Sequence, residues 1–275
     1  MTAFLDEALA EARQRTQRWR EERLLESLRA QARRRPTLGQ FAAALRGGRP
    51  PALIAEIKRA SPSQGVFGGD VDAVSRARDY ARAGAAAVSV LTESHWFHGS
   101  LDDLQAVASA VTVPVLRKDF IVDEYDLEVS AAAGADAVLL IAAAFDSARL
   151  AELIAFSAVC GLDALVEIHD ARDLTTTRKV DATILGVNAR DLRTLRVDLP
   201  AALELLATLP GGILRILESG VRSRDDVEVA RSAGADAILV GEALMRTANP
   251  GETIRQLLGM DPVSDVETAD VRSSL

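Results

Sequence analysis

Lysine is scarce in this sequence, and its positions make it a candidate for proton transfer. The chain has 32 basic residues, and three of them are lysines: Lys58, Lys118 and Lys179. Arginine, with a pKa above about 12, holds its proton near neutrality, whereas lysine can release a proton once its pKa is lowered. Lys58 and Lys118 each end an apolar run, and Lys179 lies in a polar stretch. We therefore expect the first two to do acid–base chemistry.

Carboxylate and amide side chains also stand at the C-terminal ends of apolar runs. If the run 54–58 is a strand, Glu56 and Lys58 share a face with Ile54, because side chains alternate between the two faces. The same alternation predicts an inward direction for the polar ends of four more runs, which are Lys118, Glu167, Asn188 and Glu218. Such charges can satisfy one another without any catalytic role. Five strands with polar ends on one side favour an active site.

The segments that must position these side chains form an internal repeat. AGAAAVSVL at 83–91 recurs as AGADAVLLI at 133–141 and as AGADAILVG at 233–241, with a weaker copy from Cys160. In each copy a glycine follows a helix-like segment and precedes an apolar run. This pattern is typical of a helix end, a tight turn and a buried strand.

Eight such runs alternate with amphipathic segments. We predict strands near 53–57, 88–91, 114–118, 137–141, 163–168, 184–188, 213–218 and 237–241. Asp70, Ser100 and Ser223 are predicted to start helices. Alternating strands and helices require parallel strands with right-handed crossovers, and no G-x-G-x-x-G follows the first run, which disfavours an open dinucleotide-binding sheet. The predicted fold is α/β: a single (β/α)8 TIM barrel with an N-terminal helical extension.

The domain prediction divides the chain into three parts. Residues 1–48 are charged and helix-prone, with too few apolar residues for a core of their own. We expect them to form two or three short helices packed on the barrel as an extension. The barrel itself is predicted over 49–259. Residues 260–275 are acidic and polar, and we predict a disordered tail there.

Composition limits the cofactors, partners and location that we expect. A net charge of −8 argues against a nucleic-acid partner. No apolar run approaches the roughly 20 residues that span a bilayer, and no signal peptide is visible, so we expect a cytoplasmic protein without membrane contact. His95 and His98 share a loop without zinc-ligand spacing, and neither a metal nor a cofactor is expected. Cys160, the one cysteine, is expected to be a structural thiol.

The loops after the seventh and eighth predicted strands indicate a phosphorylated small-molecule substrate. Ser219 and Gly220 follow the seventh strand, and Gly241 and Glu242 follow the eighth. These two loops of a barrel often present backbone amides to a phosphate, and glycine lets the backbone approach it closely.

Short motifs stand at the predicted strand ends in a definite order. They are IAEIKRASPS (54–63), LTE (91–93) with FHGS (97–100), RKDF (117–120), LVEIH (165–169), GVNARDL (186–192), ESGV (218–221) and VGEALM (240–245). Together they resemble the indole-3-glycerol phosphate synthase family, the barrel enzymes of tryptophan biosynthesis. The resemblance covers about residues 40–258, and a helical N-terminal extension also fits the family.

The resemblance implies a reaction and roles for the charged residues. The substrate would be 1-(2-carboxyphenylamino)-1-deoxyribulose 5-phosphate, which closes to indole-3-glycerol phosphate with loss of CO2 and water. Lys118 would protonate the ketone, with a pKa lowered by nearby cations. Lys58, paired with Glu56, would hold the substrate carboxylate, and Glu167 would be the base. The division of the later steps among the two lysines and Glu167 stays open.

The resemblance also implies a binding shell around this reaction. Asn188, Arg190 and Glu218 would orient hydroxyls and carboxylate, and Phe97 and Phe120 would flank the aromatic ring. Sugar and phosphate would be bound by Ser61, Ser219, Gly220, Gly241 and Glu242. Other enzymes of the tryptophan pathway are the partners it would suggest.

Two positions depart from the family pattern. Gln64 stands where many relatives carry lysine, and Asp126 stands where glutamine commonly follows the tyrosine. Both lie in loops that follow strands, where they could alter loop closure or substrate fit. A copy serving a specialised pathway is therefore an alternative to the primary pathway.

Two rival functions are weaker. A phosphosugar isomerase needs one acid–base pair, which does not explain two inward lysines with three inward carboxylates. A catalytically silent barrel that serves as a scaffold predicts loss of Lys58, Lys118 or Glu167, and all three are present.

Overall fold

Apolar runs rich in valine, isoleucine, leucine and alanine close into a barrel of eight parallel strands. The computed structural model describes residues 4–31, 36–48, 50–67 and 71–260. The barrel strands are β1 (Ala52–Ile57), β2 (Ala87–Leu91), β3 (Val115–Lys118), β4 (Ala137–Ile141), β5 (Asp163–Ile168), β6 (Ile184–Asn188), β7 (Leu214–Glu218) and β8 (Ala237–Val240). Each pairs in parallel with the next, and β8 pairs with β1. The TIM-barrel prediction is confirmed.

In the part of the chain that the structure describes, three helices precede the first strand, and the others lie between the strands or follow the last one. They are α1 (Phe4–Glu21), α2 (Leu24–Gln31), α3 (Gln40–Arg46), α4 (Ala73–Arg82), α5 (Leu101–Ala110), α6 (Glu124–Ala132), α7 (Ser147–Val159), α8 (Ala171–Thr177), α9 (Leu199–Ala207), α10 (Arg224–Ser232), α11 (Glu242–Arg246) and α12 (Pro250–Leu258). Within the described ranges, no helix combines the length and the apolar character needed to cross a membrane.

Helix starts agree with the sequence in two cases and differ in one. Ser100 and Ser223 are the N-caps of α5 and α10, where their hydroxyls accept hydrogen bonds from backbone N–H groups. The predicted start at Asp70 is wrong for α4, because Asp72 is the N-cap of that helix and its carboxylate accepts from two amides. Asp70 itself lies outside the described residues.

The strands bury both of their faces, in two separate layers. Outward residues such as Leu53 and Ala55 pack with the helices. Inward residues such as Ile54, Leu165 and Ile216 fill the barrel interior, and each fully buried side chain of this size contributes roughly 1.5–3 kcal/mol. The predicted alternation is therefore confirmed, and it decides which polar side chains reach the interior.

The first helix lies at the end of the barrel where the strands finish. Phe4 packs edge-on against Trp96 and Phe120, with ring centroids 5.2 and 6.0 Å apart. Arg15 donates to the Asp119 carboxylate at 2.7 Å, just beyond the end of β3. Because Arg15 and Asp119 are both buried, this ion pair ties α1 to the mouth of the barrel.

The third helix lies at the opposite end. The carboxylate of Asp163, the first residue of β5, accepts from the backbone N–H groups of Gly39 and Ala42 at 3.0 Å each. Phe41 is completely buried in the interior layer. In the described residues the extension therefore contacts both ends of the barrel. Of the predicted tail, residues 261–275 lie outside the described residues.

Candidate active site

Most of the predicted site residues surround one cavity at the carboxyl ends of the strands. Those that line it are Glu56, Lys58, Ser61, Phe97, Lys118, Phe120, Glu167, Asn188, Arg190 and Ser219. Glu56, Lys118, Glu167 and Asn188 enter from four strands, as the alternation predicts, and the other side chains enter from the segments that follow the strands. Lysines, carboxylates and aromatic rings in one cleft can bind an aromatic acid and transfer protons to it.

The remaining predicted residues lie just outside this lining. Glu218 contacts Lys118, and Gly241 lies directly behind Glu56. Glu242 faces Arg190, with 3.6 Å between its Oε2 and the guanidinium Nη2. Gly220, at the end of β7, packs against other side chains, so the structure brings it near the cavity without exposing it there.

Lys118 stands between two glutamates. Its Nζ lies 3.0 Å from Glu167 Oε2 and 3.2 Å from Glu218 Oε2. Burial works against the charged ammonium group, but the charges of Glu167 and Glu218 outweigh it and raise the pKa of Lys118 above its ordinary value. The expectation of a lowered pKa was wrong, because the neighbours of Lys118 are carboxylates rather than cations.

The pKa values of Glu218 and Glu167 are shifted in opposite directions. Burial raises the pKa of Glu218 to about 8; the nearby charge of Glu167 adds to this rise, although Lys118 opposes it. For Glu167, the attraction of Lys118 and His169 overcomes burial and lowers the pKa. Two carboxylates in one buried site titrate together, and of the two Glu218 has the higher pKa.

Lys58 forms a second ion pair on the other side of the cavity. Its Nζ lies 2.9 Å from Glu56 Oε1 and 5.8 Å from the centre of the Phe67 ring. A Cβ at Gly241 would come within 2.3 Å of Glu56 Oε1. Glycine at this position therefore leaves the space that the Glu56 carboxylate occupies.

Gly186 in β6 has the same role for Glu218, and sequence reasoning did not single it out as a site residue. A Cβ there would lie 2.1 Å from Glu218 Oε1 and 3.1 Å from a methyl group of Leu165. Its signal in the sequence is a glycine inside an otherwise apolar strand, which marks a close approach of another group.

Glu93 is another residue that sequence reasoning did not assign to the site. Its buried carboxylate accepts from the backbone N–H groups of His95, Trp96 and Phe97, at 2.7 to 3.1 Å. The loop that carries Phe97 is thereby folded over the cavity. A polar residue directly after a strand was the available signal, but its partners are backbone groups that no sequence pattern reveals.

Arg190 joins loops that follow different strands. Its Nη1 donates to the Ser63 hydroxyl at 3.0 Å and to the Leu195 carbonyl at 2.9 Å. Ser219 has a positive φ of 67°, a backbone strain of about 1–3 kcal/mol that functional sites often carry. In the described residues, no group of three or more histidine, cysteine or acidic side chains is placed to hold a metal.

Sequence comparison relates the chain to one family. Residues 5–257 match the family model of indole-3-glycerol phosphate synthase. The chain is 45% identical over 214 residues to an indole-3-glycerol phosphate synthase of Exiguobacterium sibiricum, covering 78% of this chain and 83% of that protein. It is also 45% identical over 260 residues to indole-3-glycerol phosphate synthase 2 of Streptomyces coelicolor, covering 94% and 100%.

Solved structures resemble the chain in fold. A 3-hexulose-6-phosphate synthase has a TM-score of 0.62 at 17% identity, over 76% of this chain and 98% of that one. A tryptophan synthase complex from Pyrococcus furiosus has a TM-score of 0.57 at 14% identity, over 76% and 98%. At these identities the likeness shows the barrel alone.

Proposed function

The chain belongs to the indole-3-glycerol phosphate synthase family, and is thus a carboxy-lyase; we propose that Lys118 and Glu167 are its acid and base. The reaction is the closure of 1-(2-carboxyphenylamino)-1-deoxyribulose 5-phosphate to indole-3-glycerol phosphate. It needs a new carbon–carbon bond, loss of CO2 and loss of water. Each of these steps changes the charge on one oxygen or carbon, so positioned proton donors and acceptors can supply the catalysis.

Lys118 donates a proton in the ring closure. When the aromatic carbon attacks the sugar ketone, negative charge develops on the ketone oxygen. An ammonium group held by two glutamates is protonated before substrate arrives. As the oxygen becomes basic, the proton moves from Nζ to that oxygen, and an alcohol forms.

Lys58 binds the carboxylate that later leaves as CO2. Its pairing with Glu56 directs the ammonium group into the cavity. The charge of Lys58 holds the carboxylate as it bends out of the ring plane during closure. Once the new bond has formed, release of CO2 returns electrons to the ring, and Phe97 and Phe120 provide apolar walls that favour this loss of charge.

Glu167 serves the dehydration. Loss of the hydroxyl group requires a proton on the departing oxygen and removal of a proton from the ring system. Glu167 lines the cavity and is ionised, which suits a base. Glu167 passes the proton that it removes to Lys118, which gave up its own proton in the ring closure and now protonates the departing hydroxyl. A proton from water afterwards restores the Lys118 ammonium group. Asn188 and Arg190 orient the sugar hydroxyls, and the loops at Ser219 and Gly241 face the phosphate.

The single observation that carries this proposal is the Lys118 ammonium group between Glu167 and Glu218 at the bottom of an aromatic-walled cavity. The test is incubation of the folded protein with the carboxyphenylamino-deoxyribulose phosphate while indole fluorescence is recorded. We expect turnover by the wild type and by Glu204→Gln, a change of an exposed glutamate, and a loss of about 100-fold or more in Glu167→Gln. No turnover by folded wild-type protein would contradict the proposal.

A further inference from the structure

His169 lies behind the site, and the proposed mechanism does not use it. Its Nε2 is buried and faces Glu167 Oε1 at 3.3 Å. On the other side of the ring, Nδ1 lies 3.6 Å from the Asp173 carboxylate. That carboxylate also accepts from the His169 backbone N–H at 2.8 Å. The imidazole ring is therefore held between two carboxylates, one of which is the proposed base.

The ring also borders a second cavity, which is distinct from the substrate cavity. This second cavity, of about 510 Å³, is lined by His169, Asp173 and Asn188 together with residues of α8 and α9. Asn188 and Leu192 line both cavities and form part of the wall between them. Glu167 lines only the substrate cavity. The Glu167–His169 contact thus connects the two spaces through this wall.

The surroundings of the two glutamates are unequal because of His169. Each carboxylate oxygen of Glu167 lies next to a nitrogen atom of another side chain. His169 Nε2 lies next to Oε1, and Lys118 Nζ lies next to Oε2. Glu218 contacts Lys118 and also interacts with the negatively charged carboxylate of Glu167. Electrostatics alone therefore favours a proton on Glu218 and the negative charge on Glu167.

We propose that His169 acts from the second cavity as a positioning residue that keeps Glu167 ionised, and so makes Glu167 rather than Glu218 the base. This inference rests on the proposed function. Because the second cavity borders the ring, His169 can exchange protons on that side while substrate fills the mouth. The charge state of the base is then set from outside the substrate cavity.

The charges around His169 support its cationic form. Burial opposes that form, but the contact with the Asp173 carboxylate and the charge of Glu167 raise the pKa of His169. Glu218 on β7 acts in the same direction. The other charged residues that line the second cavity are Asp170, Arg172, Asp191, Arg193 and Asp198. Acidic groups are more numerous than basic ones in this set, which also favours a cation.

The test compares the pH dependence of kcat in wild type and His169→Gln. Glutamine places a polar side chain beside Glu167 but carries no charge. We expect the acid limb of the kcat profile to move up by about one pH unit, because Glu167 loses one neighbouring cation. KM should change little, since His169 does not line the substrate cavity. Thr176→Ala, which alters the same second cavity away from the ring, should keep the wild-type profile.

A second variant separates a charge effect from a structural one. His169→Ala leaves space beside a cavity that can admit imidazole, so added imidazole should restore most of the lost kcat. A wild-type pH profile in His169→Gln would overturn the inference, and so would a pH-independent loss that imidazole does not restore. Absence of turnover in the wild type would overturn the proposed function and, with it, this role of His169.

Discussion

At the scale of single residues, the protonation state of each charged group follows from the neighbours it meets in the buried site. Lys118 needs no lowered pKa to serve as an acid, because the transfer takes place when the ketone oxygen becomes strongly basic. What matters is that the proton is present and correctly placed. Glu167 and Glu218 secure both conditions, since the charge of Glu167 stabilises the ammonium group and both carboxyl groups fix the position of Nζ.

The raised pKa of Glu218 predicts a characteristic effect on stability. Its value of about 8 in the folded protein exceeds the ordinary value of 4.5. The folded state therefore binds this proton more tightly than the unfolded chain does. The resulting stabilisation is complete below the ordinary pKa and is lost as the pH rises through about 8.

Glu218→Gln should remove this pH dependence, because glutamine stays neutral. We expect the thermal unfolding midpoint of the wild type to fall more between pH 6.5 and pH 9 than that of the variant (pH values chosen at about 1 to 1.5 units on either side of the pKa). Scanning calorimetry at the two pH values measures the difference. Parallel falls in both proteins would show that Glu218 is not protonated in the folded state.

At the scale of elements, glycines in the strands and contacts between loops hold the charged groups in place. In β6, Gly186 provides the space for the Glu218 carboxyl group. The loop after β1 forms a short hairpin, Ala60–Ser61 with Gly65–Val66, and carries Ser61 into the cavity. Both features affect catalysis by fixing the positions of side chains in the site.

Gly186→Ala should displace the Glu218 carboxyl group, since the new Cβ would lie 2.1 Å from its present Oε1 position. A displacement of this size should lower kcat by about 100-fold. Gly211→Ala is the matched control, because a Cβ at Gly211 meets no atom within 4 Å. Steady-state kinetics with both variants checks this, and wild-type kcat in Gly186→Ala would contradict it.

Gln64, one of the two positions that differ from the expected family pattern, makes a specific contact in the structure. Its side-chain oxygen accepts a hydrogen bond from the guanidinium group of Arg246, which follows β8. A lysine at this position would face this cation. We expect Gln64→Lys to raise KM about two- to fivefold by loosening the loop, whereas Gln64→Glu should retain the wild-type KM. Equal KM values in both variants would show that the contact between residue 64 and Arg246 does not determine the loop position.

Asp126 was predicted to lie in a loop, but it belongs to the first turn of α6. It also makes contacts that a longer amide would not reproduce unchanged. Its carboxylate accepts from the Thr16 hydroxyl at 2.8 Å and from the Val122 backbone N–H at 3.0 Å. Thr16 belongs to α1. This position therefore helps to fasten the N-terminal helix beside the mouth of the barrel.

At the scale of the whole molecule, barrel closure combines side chains that are far apart in sequence. Each odd-numbered strand contributes one charged group to the inner face at the mouth, and these are Glu56, Lys118, Glu167 and Glu218. Alternate strands supply the same layer of a closed barrel. Three glutamates around one lysine account for the direction of its pKa shift.

Much of this arrangement could be predicted from the sequence. The repeated glycine and the apolar runs placed the eight strands within a residue or two, and period-two alternation predicted the inward faces, as for Glu167 beside Leu165. The sequence did not predict which carboxylates would neighbour Lys118, because spacing along one strand says nothing about distances across the barrel. The position of Phe4 at the mouth could not be predicted either, because it depends on tertiary contacts of α1.

Proton donation by Lys118 is tested most directly by measuring kcat for Lys118→Arg and, as a control, for Lys179→Arg. Arginine preserves the positive charge between the two glutamates but does not release its proton. We predict that Lys118→Arg loses about 100-fold or more in kcat, the usual contribution of a general acid, while Lys179→Arg, changed in a turn after α8, matches the wild type. A kcat for Lys118→Arg within about threefold of the wild type would contradict proton donation by Lys118.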